Sequence, residues 1–158
     1  MRTRRLLLVA SLLAAALVGD LGLASAAHAA SDPKTLHIGY IHYDSAGKDT
    51  GSNTSLNDEW IRLHNNTSSA VTLTGYKIKD KAGHTYTFPS FKLGAGKSVA
   101  LHTGRGTNSS AHLYWNRGAY VWNNTSDTAY LVKPTGGNKD TCYYPTSDNP
   151  PGIGCHSR

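Results

Sequence analysis

The sequence predicts an all-β domain, a sandwich or a barrel, on three observations. Apolar residues recur with a period of two through residues 71–103. Gly, Pro, Asp and Asn interrupt that stretch at the short intervals of tight turns. Residues 34–43 add a β-branched and aromatic stretch of strand character.

Residues 1–29 stand apart from the fold. Arg2, Arg4 and Arg5 form a positive n-region and residues 6–18 a short apolar h-region. Ala27-His28-Ala29 is a small-x-small cleavage site, which predicts an exported chain beginning at Ala30. Thr3-Arg4-Arg5-Leu6-Leu7 also fits a twin-arginine signal loosely, so both export routes stay open. Removing this leader takes away three arginines and one aspartate, which leaves 129 residues and lowers the net charge from +6 to +4. That length suits one domain with a real core, and the mature chain reads as secreted, with no transmembrane segment.

Residues 34–43 (KTLHIGYIHY) are β-branched and aromatic enough for a first strand. Residues 44–53 read as a loop of turn residues. Asp44, Asp49 and Asn53 are oxygen donors of the kind calcium takes, but their spacing is not that of an EF-hand; an ordinary polar loop is the plainer reading. The second strand, residues 59–64, places Glu59, Ile61 and Leu63 on one face and Trp60, Arg62 and His64 on the other. Glu59 is the only glutamate, with a functional acid and a salt-bridging or capping role as its two readings.

In residues 71–103 the inward parity passes from Val71 and Leu73 to Tyr76 and Ile78 across Gly75, a bend or bulge. Asp80 and Gly83 bracket a type I turn, Tyr86 and Phe88 resume the inward face, and Pro89 ends that run. After Leu93 and a glycine turn, Val99 and Leu101 form one more inward pair, so the stretch reads as an antiparallel meander. Lys77, Lys79 and Lys81 alternate on its outward face, as edge-protecting, solvated lysines or as a polyanion stripe. Residues 104–110 are read as the most flexible stretch, with a weak Gly-Arg-Gly anion nest. Tyr114, Trp115, Tyr120 and Trp122 crowd the following segment, and the last clear strand is residues 129–133.

The tail carries the only cysteines, Cys142 and Cys155. In an exported chain they are expected to pair with each other, stapling a tail too poor in apolar residues to fold alone. A two-cysteine metal site with His156 would need ligands from elsewhere. This divides the chain into a leader (1–29), a domain (30–135) and a Pro/Gly-rich tail (136–158).

The succession Glu59-Trp60-Ile61, Asn65, Leu73-Thr74-Gly75-Tyr76, Asp80, Gly83, Tyr86, Phe88-Pro89, Leu93, Gly96, Val99, Gly104, Gly106, Tyr114-Trp115, Trp122-Asn123 and Asp127 closely resembles the lamin-tail domain, in its bacterial secreted form. The resemblance covers roughly residues 36–133. It implies an immunoglobulin-like β-sandwich whose motif residues are scaffold, so that no catalytic role transfers. Bacterial members of the family occur alone or beside secreted hydrolases, which implies an attachment or binding module.

Seven histidines remain in the mature chain, yet there is no HExxH, GxSxG, P-loop or dinucleotide-binding pattern, and one glutamate makes a paired-carboxylate hydrolase hard to assemble. The expectation is no enzyme and no cofactor, with a secreted hydrolase assembled from distant residues as the remaining alternative. The expected activity is binding of an extracellular polymer, nucleic acid or cell-wall glycan, or of a cell-surface partner. Arg105, Tyr114, Trp115, Arg117 and Trp122 are the candidate contacts. If those aromatics are core, a structural or protein-interaction module remains, and the exposure of Trp115 and Trp122 separates the two. The mild positive charge favours a phosphate- or carboxylate-bearing polymer. The Asn-x-Ser/Thr sequons at Asn53, Asn65, Asn66, Asn108, Asn123 and Asn124 read as polar loops.

Overall fold

The computed structural model describes residues 33–145 and 151–156, so the leader and its cleavage site lie outside the described residues. Strand β1 (Leu36–His42) leads through a polar loop into a short helix, α1 (Asn53–Asp58), and then β2 (Trp60–Asn65). Next come β3 (Val71–Thr72), β4 (Lys77–Lys79), β5 (Thr85–Thr87), β6 (Lys92–Leu93) and β7 (Ser98–His102). The last four strands are β8 (His112–Tyr114), β9 (Asp127–Val132), β10 (Asn138–Tyr144) and β11 (Gly152–Gly154). A five-stranded sheet runs β11-β1-β2-β7-β8, a four-stranded sheet β10-β9-β4-β5, and β3 and β6 form a two-stranded clip. This is the all-β sandwich expected.

The alternation read from the sequence places the core. Ile61 and Leu63 of β2, Val99 and Leu101 of β7 and Leu113 of β8 are buried in one cluster with Ile78, Leu131, Cys142 and Tyr144 from the second sheet. On β1 the register shifts between Ile38 and Tyr40, a bulge at Gly39. Ile38 and Ile41 can therefore both point inward while Tyr40 and His42 point out. Each large aliphatic side chain so buried contributes about 1.5–3 kcal/mol.

Residues 71–103 are not one meander. Only β4 and β5 pair as consecutive neighbours; β3 pairs with β6, and β7 crosses to the other sheet, between β2 and a parallel β8. Gly75 (φ 79°) and Pro89 are the breaks that let the chain change sheet. The Gly75 N–H bonds to Phe88 O at 3.0 Å, which closes the clip. β4 lies between β9 and β5, so Lys77 and Lys79 line a solvated face but guard no edge.

The chain beyond residue 135 is part of the sandwich. β10 completes a hairpin with β9, and β11 adds to β1, so the strand at residues 129–133 is not the last. The signal is weak because β10 alternates exposed polar residues with only Cys142 and Tyr144 inward. Cys142 and Cys155 are disulfide-bonded, with Cα atoms 5.3 Å apart. Cys142 lies on β10 and Cys155 just past β11, so the bond joins the rim strands of the two sheets and does not merely staple a tail. Among the described residues no helix is long and apolar enough to cross a membrane.

Candidate functional site

The five residues expected to form one binding surface do not converge. Trp122 is core, 2% exposed, with its ring against Trp115 at 6.5 Å. Burial takes it out of any direct contact. Trp115 is half-buried against Tyr86 at 5.8 Å, and with Arg117 it lines a polar cleft beside Thr85 and Thr87. Tyr114, one residue before Trp115, points to the opposite side of the sheet and stacks on His102 at 5.2 Å. Arg105 is exposed elsewhere. Tyr120 acts as a strut, its hydroxyl 2.5 Å from Ser55 Oγ.

The stretch read as most flexible is tied down. Arg105 N–H donates to Asn53 Oδ1 at 2.7 Å, and Arg105 O accepts from Asn53 Nδ2 and Asn57 Nδ2, both at 2.9 Å. The amide that an anion nest would offer is therefore already used. A Cβ at Gly106 would sit 2.4 Å from the Tyr114 ring, so only glycine lets the loop close over that side chain. Asn53 is spent here, while Asp44 and Asp49 both accept from Asn124 Nδ2, so the three supposed calcium donors are not gathered. Among the described residues no group of three or more His, Cys, Asp or Glu is placed to hold a metal ion.

The outer face of the five-stranded sheet gathers more chemistry than any loop. The register sets His42, Trp60, His102 and Tyr114 in one row across β1, β2, β7 and β8, and Tyr40, Arg62, Ala100 and His112 in the next. Trp60 stacks on His42 at 5.4 Å and 4°, and on Tyr40 at 5.4 Å and 29°. His102 stacks on both Tyr114 and His112 at 5.2 Å. Rings this close and this parallel are offset-stacked, standing on the sheet with their edges to solvent. One stack leans toward β1 and the other toward β8. Between them, over Ala100 and Ser98, small side chains leave a mostly apolar cleft of about 420 Å³ walled by Trp60 and the two histidines. Arg62, set over the Tyr40 ring at 5.6 Å, separates it from a second depression of about 470 Å³ above Gly39 and Gly154.

The short helix, of which only Asn53 fell within the loop expected from the sequence, orients these rings. Ser52 caps it by accepting from Ser55 N, and Leu56 anchors it. Its last carbonyls accept from two histidines: His42 Nδ1 to Asp58 O at 2.5 Å and His102 Nδ1 to Asn57 O at 2.7 Å. A ring nitrogen facing a carbonyl must carry hydrogen, so neutral His102 presents Nε2 as an acceptor. His112 Nδ1–H donates to it at 2.9 Å, which leaves His112 Nε2 as an acceptor toward solvent. Burial, and then the neighbouring His112, hold the His102 pKa below the ordinary histidine value, against the Asn57 carbonyl and Asp58.

Glu59 sits under this region, fully buried, at the junction of α1 and β2. Its carboxylate accepts from Thr103 Oγ1 at 2.6 Å, Val121 N at 2.8 Å and Trp122 N at 3.0 Å. It caps the returning chain, and its partners are hydroxyl and amide groups of the fold. Burial nevertheless pushes its pKa up to about 7 against those three donors.

The parity that exposes Trp60, Arg62 and His64 was visible in the sequence, but which strands flank β2 was not. The row therefore escaped detection. Of the comparisons with known proteins, a family model described as Lamin Tail Domain matches residues 29–146, a span that stops short of β11 and Cys155. No curated protein matches the chain.

Proposed function

We propose, because this chain belongs to the lamin tail domain family, that it is an exported, non-catalytic module that binds an extracellular polymer or surface partner. Its immunoglobulin-like sandwich supplies the rigid frame, and the outer face of the five-stranded sheet supplies the contact surface. The observation that carries this reading is the cleft between Trp60 and the His102–His112 pair, floored by Ala100. Aromatic walls held by a sheet lose little freedom on binding, which favours affinity. Glu59, the residue most suggestive of acid–base chemistry, is occupied by Thr103, Val121 and Trp122. The leader at residues 1–29 and the Cys142–Cys155 bond fit an oxidising, extracellular setting.

A second reading, a structural or protein-interaction module, is favoured by the burial of Trp122 and the partial burial of Trp115, the aromatics the sequence offered as a platform.

The deciding experiment is retention of the oxidised mature protein on cell-wall glycan, DNA and immobilised secreted proteins, at low and moderate salt, with Trp60→Ala beside Arg105→Ala. Retention lost with Trp60→Ala and kept with Arg105→Ala supports the sheet face. The opposite pattern, or no retention on any support, overturns it.

A further inference from the structure

We infer that the partner on this face is a neutral, hydroxyl-rich glycan chain, with one sugar ring between Trp60 and the His102–His112 pair and the next unit over Gly39 and Gly154. The inference rests on the proposed role of the sheet face and adds the chemistry of its occupant.

Charge argues first. Across the residues of β11, β1, β2, β7 and β8, Arg62 is the only Lys, Arg, Asp or Glu. Nucleic-acid binding draws much of its affinity from phosphates neutralised by several cations, and one arginine cannot supply that. Lys77, Lys79 and Lys139 lie on the other sheet, and Lys92 on the two-stranded clip. An acidic glycan meets the same shortage.

Hydrogen-bonding capacity argues second. With their Nδ1 hydrogens committed to Asp58 O and His102 Nε2, neutral His42 and His112 each present an Nε2 acceptor. Arg62 adds donors, and Ser98 lines both depressions. Hydroxyl groups, which donate and accept, suit this mixed set, whereas phosphate oxygens only accept.

Shape argues third. A sugar ring has apolar C–H faces and a polar rim, and the cleft has a Trp60 wall, an Ala100 floor and imidazoles at its edge. The two depressions meet at Arg62 and Ser98, so an occupant that fills both is a chain of at least two units.

The test is calorimetric titration of the oxidised full chain with neutral oligosaccharides of glucose, N-acetylglucosamine, mannose and galactose, beside oligodeoxythymidylate and polygalacturonate. At least one neutral glycan is expected to bind with affinity nearly constant between about 50 and 500 mM salt. Trp60→Ala is expected to weaken it about tenfold or more. Ala100→Leu fills the floor without removing a contact, so it should fold normally and also abolish binding. Oligonucleotide or polygalacturonate bound preferentially, with a steep salt dependence and sensitivity to the same substitutions, overturns the neutral glycan and leaves the face standing. Neutral glycan bound equally by both variants overturns the face itself. No affinity for any neutral glycan overturns the inference, and retention on immobilised protein then decides the broader reading separately.

Discussion

Glu59 Oε2 accepts the backbone N–H of Trp122 at 3.0 Å, across 63 residues of sequence, and so pins the segment before β9 to the start of β2. Because burial raises the folded-state pKa from 4.5 to about 7, the folded protein holds this proton more tightly than the unfolded chain. Stability should therefore fall as pH rises from about 4.5 to 7, by up to about 3 kcal/mol from this group. His102 works the other way: its folded pKa is lowered, so its contribution is lost as pH drops below 6.5. In Glu59→Gln the downward trend should vanish, leaving the rise due to His102. The amide also faces one N–H with its own, at a cost of about 1–3 kcal/mol. Urea denaturation of both proteins across this pH range checks the claim; parallel curves would refute it.

The Cys142–Cys155 bond has a sequence separation of 13 and joins β10 to the strand paired with β1. A loop of that size corresponds to roughly 3 kcal/mol in the chain-entropy model. Since the bond ties two sheet edges, reduction should lower the stability of the whole domain by close to that amount. Guanidinium denaturation with and without reductant measures it, and an unchanged midpoint would mean that β10 and β11 hold without it.

Asn65 is buried at the end of β2 and donates to Ser69 O at 2.9 Å, Leu93 O at 3.1 Å and Gly94 O at 3.0 Å, while its Oδ1 accepts from Thr67. Asn65→Ala strands those carbonyls at the junction of two turns and should cost about 2–4 kcal/mol. Thermal unfolding reads the loss. The same burial removes the Asn65 sequon as a glycan acceptor.

Export predicts a mature N-terminus at Ala30. Edman sequencing of protein recovered outside the cell should begin within a residue or two of it. A chain beginning at Met1 would refute cleavage.

Trp122 and Arg105 show what the sequence could and could not convey. Period-two patterning marked Ile61, Leu63, Val99 and Leu101 as inward, because strand geometry forces alternation wherever one face is buried. It could not tell that β7 leaves β5 and β6 for β2, since that pairing depends on contacts distant in sequence. The histidine and tryptophan row across four strands is a product of that pairing, so no local motif announces it. Aromatic density, by contrast, drew attention to residues 114–122, where a buried Trp122 and an outward Tyr114 read alike. The two positions should therefore separate cleanly when tested for stability. Trp122→Ala opens a cavity in the core and should cost about 3–5 kcal/mol. Arg105→Ala removes an exposed side chain while the loop stays held through its backbone, so its effect should stay within about 0.5 kcal/mol. Chemical denaturation of the two variants decides it: a small loss at Trp122, or a large one at Arg105, would contradict the placement of both.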